Sequence, residues 1–147
     1  MTDFRPEDSL GYHVNRAARL MRQALGRRLA RHEVAIGQWA VLLFLYQRDS
    51  RTQAELSQLV AIEPPTMVRT IDRMVRDGLV ERRPDPSDAR AVRIVLTERA
   101  RALHEPLTAA AAEVNEAARA ALGPDGAEQT MQHLRLLIAA FGPEADG

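Results

Sequence analysis

Residues 52–97 read TQAELSQLVAIEPPTMVRTIDRMVRDGLVERRPDPSDARAVRIVLT, and the fold is decided within them. Thr52-Gln53-Ala54-Glu55 sets a hydroxyl to cap the amide three residues on while the glutamate reaches back, which predicts a short helix over residues 53–60. Pro64-Pro65 suits the first turn of a second helix, where amides have no intrahelical acceptor, and that helix runs to Asp77 before Gly78 stops it. Two helices joined by a turn of a few residues make a helix-turn-helix. Residues 79–83 and 92–96 are short β-type runs that bracket the turn formers 84–91, so a hairpin with a long tip follows directly. That hairpin is a wing.

Upstream, Val14, Ala17, Ala18, Met21, Leu25 and Leu29 recur at intervals of three and four, giving one apolar stripe on a helix over residues 10–35. Gly37 breaks that pattern, and residues 38–47 (QWAVLLFLYQ) are apolar almost all round, as in a buried core helix. Downstream, Thr97 caps a helix from Glu98 toward Leu122 in which Pro106 predicts a kink or restart. Gly123-Pro124 separates it from a last helix over residues 125–141 with Met131, Leu134, Leu137, Ile138 and Phe141 on one face. These terminal helices carry more apolar surface than one small core can cover, and pairing two chains is the usual remedy. The expected fold is mainly α with a small β-hairpin. Residues 1–36 are expected to form an N-terminal dimerisation helix, 37–97 a winged helix-turn-helix domain, and 98–147 C-terminal dimerisation helices.

The 147 residues are 46% hydrophobic and 27% charged, the composition of a folded globular chain. No apolar run reaches the ~18 residues that span a bilayer, and the first ten residues lack the basic-then-apolar order of a signal peptide, so a cytoplasmic location with no membrane partner is expected. The absence of cysteine excludes disulfides, thiolate metal sites and thiol-based sensing. A formal charge of zero hides an asymmetry: residues 1–101 hold 18 Arg against 13 acids, residues 102–147 hold 2 Arg against 7. Every basic side chain is arginine, which suits planar bidentate contacts to phosphate or guanine.

In the second helix of the motif, Val68, Ile71 and Val75 fall on the side expected to pack inward. Thr66, Arg69, Thr70 and Arg73 follow the spacing i, i+3, i+4, i+7 on a free face. Hydroxyl and guanidinium groups are the chemistry that meets phosphates and the acceptor edge of guanine in a major groove. In the hairpin, Asp88 and Arg90 form an Asp-x-Arg pair at the tip, a carboxylate orienting an arginine for a neighbouring minor groove, with Arg82 and Arg83 at the base and Arg93 on the returning strand.

The run from Ile62 to Met74, then Asp77 to Arg82, Asp85 to Ala91 and Leu96-Thr97, together with Gln38-Trp39 and Val41-Leu42, resembles the MarR family of regulators and specifically its SlyA-like branch. The resemblance covers residues 10–101 in register; the C-terminal helices match only in length and character. It implies a homodimer on a pseudo-palindromic operator in double-stranded DNA, with recognition helices in successive major grooves and wings in the flanking minor grooves. Pro65, Thr66 and Arg69 are then the residues for bases and phosphates, Arg90 for the minor groove, and Thr52 and Ser57 for the backbone. Ala89 departs from the pattern, standing where many members carry a second wing arginine. The resemblance also implies a ligand-responsive repressor released by a small aromatic or phenolic carboxylate, for which Tyr12, His13, Arg16 and Trp39 are the candidate lining, with Arg16 suited to the carboxylate and Trp39 to the ring.

Other function classes find little support. There is no Gly-rich phosphate loop, His-Glu-x-x-His, nucleophile elbow or cysteine, so neither catalytic residues nor a cofactor are expected, and no pair among the four histidines has metal-ligand spacing on a shared helix face. The alternative is a winged-helix module that binds another protein and has lost specific DNA binding, a reading that Ala89 and the neutral overall charge favour.

Overall fold

The computed structural model describes residues 4–142. The chain folds as two compact units, Met1–Ala110 and Ala111–Gly147. A single turn at Pro6–Asp8 leads into α1 (Leu10–Ala30), where the Ser9 hydroxyl accepts from the Tyr12 amide at 3.2 Å. The helix stops five residues short of the expected end. Glu33 takes a left-handed conformation (φ 58°), and the Val34 amide wraps back to the Leu29 carbonyl at 3.2 Å, which brings Val34 into the core.

α2 (Ile36–Gln47) follows directly, so Gly37 lies in a first helical turn instead of ending a pattern there. Gln38 explains the start: its side-chain oxygen accepts from the Ala35 amide at 3.0 Å. Trp39, Val41, Leu42 and Leu45 are buried, so this helix is the centre of the first unit. A two-residue strand, β1 (Arg51–Thr52), precedes α3 (Gln53–Val60), in which Thr52 Oγ1 accepts from the Glu55 amide at 3.1 Å.

α4 (Pro64–Arg76) takes both prolines in its first turn and ends where Gly78 adopts φ 72° and the Leu79 amide returns to the Met74 carbonyl at 2.9 Å. Its inward face is Met67, Ile71 and Met74, all fully buried; Val68 and Val75, expected inside, are 38% and 41% exposed. Both sets share Ile71. The core, however, accepts the stripe centred on the two methionines, and one residue of rotation (about 100° for 3.6 residues per turn) carries the valines to its edge.

β2 (Val80–Pro84) and β3 (Val92–Leu96) pair antiparallel, Val80 opposite Leu96 and Pro84 opposite Val92, and β1 adds to the far side of β3 to give the order β1-β3-β2. Thr97 then caps α5 (Glu98–Ala102) at the Ala100 amide and also donates to the Gly78 carbonyl at 2.6 Å, fastening the hairpin base to the end of α4. The helix expected from Glu98 onward is two helices. Pro106 has no amide for the Ala102 carbonyl, and α6 (His104–Phe141) restarts with that proline in its first turn. Gly123 breaks α6 with φ 73° and ψ 164°. Among the described residues, no helix is long and apolar enough to cross a membrane.

Candidate nucleic-acid interface

The exposed side of α4 carries Pro65, Thr66, Arg69 and Arg73, with Thr70 half-buried beside them. Arg69 Nη2 lies 3.5 Å from Thr66 Oγ1, so these two polar groups form one contiguous patch. Thr70 turns its hydroxyl back to the Thr66 carbonyl at 3.0 Å, a common way for a helical threonine to satisfy itself. Neither Arg69 nor Arg73 makes an ion pair among the described residues. Two guanidinium groups therefore stand ready on an exposed helix face.

The wing is tied to that helix by Arg82, whose Nη1 pairs with Asp72 Oδ1 at 2.7 Å while Nη2 reaches the Val68 carbonyl at 3.3 Å. Arg82 braces β2 against α4, and its charge is already partnered. Arg83 pairs with Glu81 at 3.0 Å, but both are exposed, and such a pair is worth at most about 1 kcal/mol and exchanges readily for another anion. At the tip, the Asp88 carboxylate accepts from the backbone amide of Arg90 at 2.9 Å and makes no ion pair with the guanidinium. The orientation expected of Asp88 thus acts on the Arg90 backbone, in an Asx-type turn, and leaves the Arg90 side chain without a carboxylate partner among the described residues.

Asp85 escaped the sequence reading. It is only 7% exposed, and its Oδ1 accepts from the Ser87 amide and hydroxyl, both at 2.8 Å, and from the Asp88 amide at 3.0 Å. Its Oδ2 accepts from Arg93 Nε, and Arg93 Nη1 donates in turn to the Ser50 carbonyl. Arg93 is therefore a structural cation. The Ser87 hydrogen bonds hold the Asp85 carboxyl down at about 2, with Arg93 adding and burial opposing. A lowered value means that the stabilisation is present above the ordinary carboxylate range and lost only as pH falls through about 2. Exchange protection of the Ser87 and Asp88 amides should accordingly be the same at about pH 4 as at about pH 7, and a loss on mild acidification would contradict these hydrogen bonds.

At the other end of α4, Gln38 Nε2 donates to Asp77 Oδ2 at 2.8 Å, so one side chain starts α2 and fixes the end of α4. That bond, followed by the one from Arg76, lowers the Asp77 carboxyl below its usual range. In α3, Thr52 is committed to its cap, and Ser57 is 7% exposed in a shallow groove of about 370 Å³ with Gln53, Ala54, Gln58, Ile62 and Pro64.

The four residues nominated for an aromatic acid are differently placed. Tyr12 and His13 stack edge to face on α1, Arg16 donates to the Tyr12 hydroxyl at 2.9 Å, and the His13 ring meets the Glu7 carbonyl at 2.8 Å. Trp39 is 7% exposed in the core. No group of three or more potential metal ligands occurs among the described residues.

The MarR family model matches residues 35–92, from the start of α2 into β3. Among solved structures, transcriptional regulator PA3341 is 35% identical, with 89% of this chain and 96% of that one covered at a TM-score of 0.77. A MarR transcriptional regulator from Methanosarcina mazei is 25% identical over 88% of this chain and 94% of its own, with a TM-score of 0.81. A mutant MarR from E. coli, complexed with operator DNA, has the same fold at 22% identity, with coverages of 94% and 99% and a TM-score of 0.85. The chain belongs to the MarR family of winged-helix transcriptional regulators.

Proposed function

We propose that this protein is a cytoplasmic homodimer that reads a pseudo-palindromic operator in duplex DNA and acts as a repressor released by a small aromatic carboxylate. Residues 37–97 make the DNA contacts and the segments 1–36 and 98–147 make the dimer. The observation that carries the reading is the pair of cations on α4, Arg69 and Arg73, that have no ion-pair partner among the described residues, presented with Arg90 of the wing on the same unit. Free guanidinium groups on an exposed helix and an adjoining hairpin match the separate tasks of base readout and backbone or minor-groove contact. That a mutant MarR from E. coli with the same fold is complexed with operator DNA supports duplex DNA as the ligand. The wing run Asp85 to Ala91 supports a place in the SlyA-like branch. For the effector, Arg16 beside Tyr12 offers a cation and a ring edge to a carboxylate.

The test is selection of bound duplexes from a random library, followed by titration of the selected site at several salt concentrations with and without salicylate-like acids. A two-fold-symmetric site bound with steep salt dependence is the expected result. Arg69→Ala should cost ~1–3 kcal/mol at particular base pairs and relax specificity there, whereas Arg90→Ala should weaken binding to all sequences and reduce the salt slope by about one. Parent-like binding by both variants would refute the contact assignment. One observation favours a protein-binding module instead: Arg82, Arg83 and Arg93 are all engaged within the chain, which thins the basic surface. Failure to enrich any duplex, with a partner bound at shallow salt dependence, would establish that reading.

A further inference from the structure

We propose that Asp85 is a positioning residue for DNA binding, holding Arg90 in place through the hydrogen-bonded tip of the wing, a role that rests on the DNA-binding reading above. A carboxylate this deeply buried requires donors around it, and Asp85 has four. Its own amide donates to the Ala91 carbonyl at 3.2 Å and closes the loop, while the Ala91 amide bonds to the Asp88 carbonyl at 3.1 Å. Asp85 thereby fixes Asp88, and the Asp88 carboxylate fixes the Arg90 amide. Two hydrogen-bonded steps join the buried acid to the backbone amide of Arg90, from which the guanidinium extends.

Pro86, Ser87, Asp88, Ala89 and Arg90 are all exposed, so little apolar burial is on hand to order the loop and the polar network carries most of that task. Arg93, bound to Asp85, is pinned to the Ser50 carbonyl just before β1, which references the tip to the sheet. An arginine delivered on an ordered backbone gives up less conformational freedom when it binds, and residues 84–91 hold no other cation to compensate for a misplaced Arg90.

A double-mutant cycle on the full chain tests this, with the duplex selected by the parent as probe. Asp85→Ala should weaken binding about ten-fold when Arg90 is present and by less than about two-fold in an Arg90→Ala background, because the first substitution acts through the second residue. Asp85→Asn keeps one acceptor oxygen for Ser87 and Asp88 but turns an NH2 donor toward Arg93 Nε; it should fall between parent and alanine, and it carries the cycle if the alanine variant does not fold. Thermal melts of the same samples identify general destabilisation. Parent-like affinity in both Asp85 variants overturns the proposal, as does an equal loss with and without Arg90. A parent that selects no duplex overturns the DNA-binding reading itself, before any variant is compared.

Discussion

Ile71→Ala should destabilise the protein by about 2–5 kcal/mol, whereas Val68→Ala and Val75→Ala should each cost less than about 1 kcal/mol. Ile71 is fully buried between Met67 and Met74 on the inward face of α4, so truncation removes its transfer energy and leaves a cavity that neighbouring helices cannot fill. The two valines are more than a third exposed and lose little. Against a total stability of about 5–15 kcal/mol the isoleucine change is large. Urea midpoints at one fixed protein concentration report the difference, with an unchanged slope showing that stability alone has moved. Equal losses for Val68→Ala and Ile71→Ala would mean that α4 is rotated about its axis from the orientation described. The arginines of its outer face would then need reassignment as well.

That orientation marks where the sequence stopped being legible. Each helix of the motif is announced by punctuation that acts locally: Thr52 caps α3, the two prolines open α4, Gly78 closes it and Thr97 starts α5. Such signals need only the next few residues and survive any tertiary context. The rotation of α4 is not local. Residues 67, 68, 71, 74 and 75 are all apolar, so two overlapping stripes fit the helical period and only the core chooses between them. β1 is too short to show alternation, and it exists because β3 has a free edge beside it. Pro106 announced a break, but whether kink or restart depended on how the chain continued from α5.

The candidate interface divides in the same way. Arg69, Arg73 and Arg90 were visible as exposed cations because helical spacing and a turn-forming tip place them outward whatever they contact. Which arginines are engaged inside the chain was not visible. Arg82 meets Asp72 ten residues away across two elements, and Arg93 reaches Ser50 forty-three residues upstream. Asp85 looked like one more turn-forming acid in a tip rich in them, and only the hairpin register, which brings Arg93 back past it, converts it into the buried centre of the wing. Charge sign is a property of composition, while availability of that charge belongs to the fold.

The largest functional effect is expected from the second unit. Met131, Leu134, Ile138 and Phe141 recur at intervals of three and four along the last part of α6 and are 46%, 37%, 70% and 86% exposed. An apolar stripe of this kind, left open to water, marks an interface, and a second copy of the chain is the proposed cover. Leu134→Glu combined with Ile138→Glu should therefore give a folded monomer, since both side chains are exposed within the protomer and their replacement opens no cavity in it. Two half-sites read by tethered domains gain about 10²–10⁴ in affinity over one, and the double variant should lose a factor of that size on the selected operator while single half-site binding persists. Sedimentation equilibrium and operator titration on the same preparation decide the matter. A variant that stays dimeric and binds like the parent would remove the stripe from the interface and leave α1, with exposed Leu10, Val14, Leu20 and Met21, to hold the two copies together. A monomer that kept full affinity would instead separate dimerisation from DNA reading and overturn the two-fold operator as the reason for pairing.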